Sequence, residues 1–140
     1  MVDFPTYVDI NVFVYWLGNH PSFGETAHAW IKRIEEAPRG RYMTSSLTLY
    51  ETPVIIASLT GGSLRDSSLV EGVINPITSL KGLVIDPLKP EDLTQAVALM
   101  KEYDLDYEDS LHLTAALRRS IKEIISDDRD FDKTPLRRTF

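Results

Sequence analysis

The chain has 140 residues, which is the length of one ordinary domain and enough to bury a core without disulfide bonds. It contains no cysteine, so a disulfide framework and a thiolate zinc site are excluded and a reducing compartment is indicated. Its 21 acidic residues against 15 lysines and arginines give a formal charge of −6. This charge argues against a protein that binds nucleic acid mainly through its net electrostatic field, but a local cluster of basic residues at the rim of a site is still allowed. We therefore expect one domain over residues 1–140. With neither a basic leader nor a long apolar segment, the sequence predicts a soluble, cytoplasmic protein without membrane contact.

Asp9 is the only charged residue between positions 4 and 24. Residues 6–9 predict a buried strand that ends at this acid, and residues 11–17 predict an apolar helix that ends at a glycine. One long strand over residues 7–17 is the alternative, and it would have to bury both Asp9 and a nearby asparagine. We prefer strand, turn and helix.

A second helix and a second strand follow. Apolar residues at helical spacing predict a helix over residues 23–36, and a proline and glycine segment ends it. Residues 41–44 predict a short strand, after which Ser45 or Ser46 caps the next helix.

Glu51 lies on this third helix and is the only charged residue between positions 42 and 64. Its neighbours one turn away are apolar, whereas a surface helix would carry more charge. We therefore expect Glu51 to be buried or to line a cleft, where it needs a cation, a proton or several donors. Pro53 predicts a kink in this helix or a later start.

The next segment continues the alternation of helices and strands. Residues 66–80 predict a helix disturbed at Pro76, residues 83–86 a third strand, and Pro90 opens another helix. The face of that helix predicted to be core comprises Leu93, Ala96, Val97 and Met100. Alternating helices and short apolar strands predict a three-layer α/β fold, with a mostly parallel sheet and helices on both faces.

Two further acids occur near the end of the chain. Asp109 falls on a helical stripe with a leucine and an alanine one and two turns later, so it shares the core-facing side. Residues 123–126 predict a buried strand, and Asp128 lies in the acidic turn that follows it, before Phe131.

Asp9, Glu51, Asp109 and Asp128 are the candidate catalytic and metal-binding residues. In a doubly wound sheet, polar groups gather at the carboxyl ends of the strands near the topological switch point. Four carboxylates there repel one another unless one is protonated or a divalent cation binds, and hard oxygen ligands favour Mg²⁺ or Mn²⁺. One or two such ions, a pair being typically ~3.5–4 Å apart, activate water and stabilise the leaving oxygen in phosphodiester cleavage.

Several of these residues also have a purely structural interpretation. Asp109 at a helix N-terminus, capped by Asp106, is favoured by the helix dipole, and Asp128 fits an ordinary solvated turn. Ser126 either orients a ligand or caps that turn. His112, one turn after Asp109, either contacts substrate or a neighbouring carboxylate or is a hydrogen-bonded core histidine. No zinc spacing is formed by His20, His28 and His112.

Four segments in this order resemble the PIN domain family and, within it, the VapC-type toxins of toxin-antitoxin pairs. They are residues 7–12 (YVDINV), 44–51 (TSSLTLYE), 107–113 (YEDSLHL) and 125–132 (ISDDRDFD). The resemblance implies a parallel sheet of four or five strands and an Mg²⁺- or Mn²⁺-dependent endoribonuclease.

The same resemblance assigns metal binding to the four candidate acids and supporting roles to Asn11 and Ser126, with Phe131 as a packing residue. It implies an RNA substrate, a homodimer with basic residues beside the acidic clefts, and a small antitoxin whose tail enters the site. Ile10 departs from the pattern, which usually has a small hydroxyl residue there, so one hydrogen bond to Asp9 is in question.

The leading hypothesis is therefore an RNA-cleaving toxin. The alternative is a PIN-fold module that binds RNA or protein with little or no nuclease activity. A third class, a phosphotransferase with Asp9 as nucleophile, ranks last because its usual partner acid is replaced by Asn11.

Overall fold

Five parallel strands form the central sheet of the computed structural model, which describes residues 4–140. The strands are β1 (Thr6–Val8), β2 (Tyr42–Ser45), β3 (Leu83–Asp86), β4 (Glu123–Ile125) and β5 (Arg137–Thr139). The helices are α1 (Ile10–Leu17), α2 (Gly24–Glu36), α3 (Ser46–Thr60), α4 (Ser67–Thr78), α5 (Pro90–Tyr103) and α6 (Tyr107–Arg118), with a 3-10 helix at Arg129–Lys133.

The strand order is β3-β2-β1-β4-β5, so β1 lies between β2 and β4. Thr6 pairs with Tyr42 on one side of β1, and Val8 pairs with Ile125 on the other. The chain winds outward from β1 in both directions, which places the topological switch point between β1 and β4. The predicted parallel sheet is confirmed.

Helices cover both faces of the sheet, as predicted. Because side chains alternate along a strand, Val8 and Ile125 pack on one face and Tyr7 and Ile124 on the other. The first core contains buried residues of α1, α2, α3 and α4, whereas the second contains residues of α6. Because β1 and β4 are parallel neighbours, the acids that follow them lie at the same edge of the sheet.

The predicted helix boundaries agree with the structure to within about two residues, but Pro53 does not delay the start of α3. The helix begins at Ser46, with the Ser45 side chain accepting a hydrogen bond from the amide of Leu47 at 3.1 Å, and it runs through Pro53 to Thr60. Pro53 lacks an amide proton, so the helix loses one backbone hydrogen bond. Pro53 is also buried, and the packing of its side chain outweighs that loss.

The predicted core face of α5 is wrong in part. Ala96 is buried, but Leu93 and Val97 are 41% and 44% exposed. The helix instead buries Asp92, whose carboxylate accepts hydrogen bonds from Arg118 Nε at 3.0 Å and Nη2 at 2.8 Å. This charge-assisted pair joins α5 to α6 through a face of α5 that hydrophobicity alone does not predict.

Across residues 4–140, none of the helices combines the length and the apolar character that crossing a membrane would require.

Candidate functional site

Asp9 lies directly after β1 and caps α1. Its Oδ1 accepts a hydrogen bond from the Ile10 amide at 2.8 Å, and its Oδ2 accepts from Ser126 Oγ at 2.6 Å and Asn11 Nδ2 at 3.2 Å. The residue is 2% exposed. Burial raises the pKa of Asp9, and the charge of Asp128 adds to this, although the hydrogen bonds and His112 oppose it. The isoleucine at position 10 therefore leaves both carboxylate oxygens with donors.

Asn11 and Ser126 connect Asp9 to the loop after β4. Asn11 Nδ2 also donates to Ser126 Oγ at 3.1 Å, and its Oδ1 accepts from the amide of Asp127 at 3.3 Å. Ser126 Oγ accepts in turn from the amide of Asp128 at 3.0 Å. One donor and two acceptor positions of the serine hydroxyl are thus in use. These bonds fix the loop that carries Asp128 relative to Asp9.

Asp109, Asp128 and Asp130 form a compact group, here called the aspartate trio. Each offers a carboxylate oxygen within 4.8 Å of the others. Asp109 lies in the first turn of α6, while Asp128 caps the 3-10 helix by accepting from the Asp130 amide at 2.9 Å. The structure therefore brings two of the four predicted acids within the reach of one ion. Asp130 was not predicted, and its only signal in the sequence is its place in the acidic turn.

The pKa of Asp109 shows how closely these carboxylates interact. Burial raises it to about 8, and the charges of Asp128, Asp106 and Asp9 contribute in that order. Asp9 lies outside the trio, but its charge raises the pKa of Asp109, and the charge of Asp128 raises the pKa of Asp9. Without a cation, burial and the neighbouring carboxylates therefore favour the protonated form of Asp109.

Glu51 also lies outside the trio. It is 7% exposed on α3, and its Oε1 is 2.7 Å from His112 Nε2. Its Oε2 is buried and, among the described residues, has no hydrogen-bond donor. Burial opposes ionisation of Glu51, but His112 and Glu108 hold its pKa below the ordinary value. The nearby carboxylate of Glu51 raises the pKa of Glu108 to about 7.

His112 joins this second group of acids to the core. Its ring is 1% exposed, and its Nδ1 is 2.6 Å from the hydroxyl of Tyr7. Burial alone would lower the pKa of His112, but Tyr7, Glu51 and Asp9 raise it well above the ordinary value. The sequence predicts that His112 lies one turn after Asp109, but no local pattern indicates its contact with Glu51, 61 residues earlier.

The family model of the PIN domain matches residues 6–136. The chain belongs to the PIN domain family. No curated protein matches it in sequence.

Solved structures with a similar fold include three from bacterial toxin-antitoxin systems. VapC20 of Mycobacterium tuberculosis, a sarcin-ricin loop cleaving toxin, is 15% identical with a TM-score of 0.70, over 91% of this chain and 92% of the other. VapBC2 of Rickettsia felis, bound to a promoter DNA fragment, is 14% identical with a TM-score of 0.68, over 96% of each chain. A toxin-antitoxin complex from Klebsiella pneumoniae is 19% identical with a TM-score of 0.59, over 94% of this chain and 98% of the other.

The acids of this PIN domain fit a divalent cation. The trio offers only carboxylate oxygens, which are the ligands that Mg²⁺ and Mn²⁺ prefer. The raised pKa of Asp109 and the absence of a donor to Glu51 Oε2 among residues 4–140 both indicate negative charge that these residues do not fully compensate. Lys133 lies 3.2 Å from Asp130 but is exposed, so it compensates the trio only at its outer side.

Proposed function

We propose that this PIN domain is an Mg²⁺- or Mn²⁺-dependent endoribonuclease and the toxin of a VapBC-type pair. The single observation that carries the proposal is the aspartate trio at the switch point of the sheet, with Asp9 close enough to raise the pKa of Asp109. Membership of the PIN domain family and the fold shared with toxin-antitoxin structures support it.

In this proposal Asp9, Glu51, Asp109 and Asp128 hold one or two ions, and Asp130 is a further candidate ligand. The bound metal supplies Lewis acidity, which promotes attack by water and stabilises the leaving oxygen of the phosphodiester. The protein fixes the geometry: Asn11 and Ser126 hold Asp9 and the loop of Asp128 in place, as partners of metal-binding carboxylates commonly do.

The partners follow from the same proposal. An RNA is the substrate, and a small antitoxin protein covers the site of each subunit in a cytoplasmic homodimer. The complexes from R. felis and K. pneumoniae support the antitoxin, because those proteins have this fold. Expression of the chain should stop cell growth, and co-expression of an antitoxin encoded beside it should restore growth.

RNA cleavage by the purified protein tests the enzymatic part. Cleavage should require added Mg²⁺ or Mn²⁺ and should disappear in Asp9→Asn. The matched control is Asp66→Asn, because Asp66 is exposed and caps α4 through the amides of Ser68 and Leu69, a role that asparagine fills equally well.

Two results separate the nuclease from a binding module. Cleavage that persists in Asp9→Asn, with a contaminating nuclease excluded, would contradict the proposed mechanism. Calorimetry that finds no Mn²⁺ site dependent on Asp9 and Asp109 would favour a PIN-fold module that only binds RNA or protein.

A further inference from the structure

A buried chain of hydrogen bonds runs from the backbone of β2 to Glu51. The amide of Ser45 lies 3.3 Å from the hydroxyl of Tyr7, that hydroxyl lies 2.6 Å from His112 Nδ1, and His112 Nε2 lies 2.7 Å from Glu51 Oε1. These hydrogen bonds connect residues of four elements, namely β1, β2, α3 and α6. We propose that Tyr7 and His112 are positioning residues that orient Glu51 for a divalent cation.

The two ends of this chain of hydrogen bonds determine the direction of its outer bonds. A backbone amide can only donate, so the Tyr7 oxygen accepts from Ser45, and the same hydroxyl pairs with His112 Nδ1. A carboxylate can only accept, so His112 Nε2 carries the proton that Glu51 Oε1 receives. Tyr7 thus holds the imidazole ring of His112 at Nδ1 while Nε2 donates to Glu51, as outer partners of metal-binding residues commonly do.

Burial makes this arrangement hard to replace. Tyr7 is 0% exposed and His112 1%, and their rings pack edge to face with centroids 5.7 Å apart. Water has little access to supply the donor if either side chain is removed, so Glu51 would lose its orientation or its charge.

The two carboxylate oxygens of Glu51 differ in their hydrogen-bond partners. Oε1 is occupied by His112, whereas Oε2 is buried without a donor among residues 4–140. The pair therefore leaves Oε2 as the oxygen available to a cation. This inference rests on the proposed function, because it assumes that Glu51 binds the metal.

Mn²⁺ binding, measured by calorimetry, tests the inference without any activity assay. Tyr7→Phe keeps the ring in the core and removes only the hydroxyl, and His112→Leu removes the donor to Glu51. Both should weaken Mn²⁺ binding by about 10–100-fold, the usual effect of removing a partner of a metal ligand. His112→Gln, whose side-chain amide can donate to Glu51, should recover most of the loss.

Tyr42→Phe is the matched control, since Tyr42 lies on β2 but outside this chain of hydrogen bonds. Circular dichroism and thermal unfolding establish that each variant is folded. If His112→Leu fails to fold, Tyr7→Phe and His112→Gln still decide the question, because a purely structural histidine would leave Mn²⁺ affinity the same in every folded variant.

The outcomes distinguish this inference from the proposed function. Wild-type protein that binds no Mn²⁺ would overturn both. Wild-type protein that binds Mn²⁺, together with folded Tyr7→Phe and His112→Leu variants of unchanged affinity, would overturn only the positioning role. Weaker binding in these two variants, with recovery in His112→Gln, supports it.

Discussion

Replacing Asp109 with asparagine should make the metal-free protein more stable. The pKa of Asp109 is raised from 3.8 to about 8 in the folded protein, mainly by burial and by the charge of Asp128. The folded state therefore holds a proton that the unfolded state releases above pH 4. The stability associated with this proton is fully present below the unfolded pKa and is lost as the pH rises through about 8.

The size of the effect follows from the exposure of the group. Asp109 is only partly buried, so solvent screening reduces the energy, and we take about 1–2 kcal/mol at pH 8. The first turn of α6 loses a favourable interaction of its acid with the helix dipole, about 0.5 kcal/mol, which does not reverse the sign. The net gain is therefore about 0.5–1.5 kcal/mol, and at about 4 °C per kcal/mol for a domain of this size Asp109→Asn should melt roughly 2–6 °C above the wild type.

Thermal unfolding in a chelator at pH 5, 7 and 8.5 measures this. The difference between variant and wild type should grow with pH, because only the wild type must ionise Asp109. Adding Mn²⁺ should reverse the order: a ligand at about 100 times its Kd stabilises the wild type by roughly 2.7 kcal/mol, and the variant should gain much less. A chelated variant that melts below the wild type at pH 8.5 would refute the electrostatic reasoning.

Two further predictions concern residues that hold the site and its helices. Asn11→Ala should weaken Mn²⁺ binding, measured by calorimetry, about 10–100-fold, because it removes a hydrogen-bond donor to Asp9 and the link to the loop after β4. Asn75→Ala is the control, because Asn75 is exposed and its loss should leave Mn²⁺ binding unchanged. Arg118→Ala should cost about 3 kcal/mol in urea unfolding, because it leaves the buried Asp92 without its cation and Asp86 with only the exposed Arg119. Arg119→Ala, at an exposed arginine, should cost at most about 1 kcal/mol, and equal losses would contradict this account.

The buried acids were predictable where the surrounding sequence is apolar. Asp9 and Glu51 are the lone charges of their segments, and both are buried in the structure. In each case the local pattern forces the residue inward, because the strand or helix that carries it must bury its apolar neighbours on nearly every side.

Features that depend on distant partners were not predictable. Asp92 is buried because Arg118, 26 residues later, neutralises it, and hydrophobic periodicity has no means of anticipating that. The strand at Arg137–Thr139 has a polar sequence and is ordered by pairing with β4. Asp130 resembles any acid of a solvated turn, and only the approach of Asp109 gives it a possible ligand role.

Helix α6 connects the two groups of acids. Its first turn carries Glu108, whose pKa is raised by Glu51, and Asp109, whose pKa is raised by Asp128. His112 lies one turn later and contacts the same glutamate. Adjacent residues on a helix point about 100° apart, so neighbouring side chains of one rigid element reach different acids. Because α6 contributes a residue to the aspartate trio and the partners of Glu51, a rotation of this helix would change both groups together.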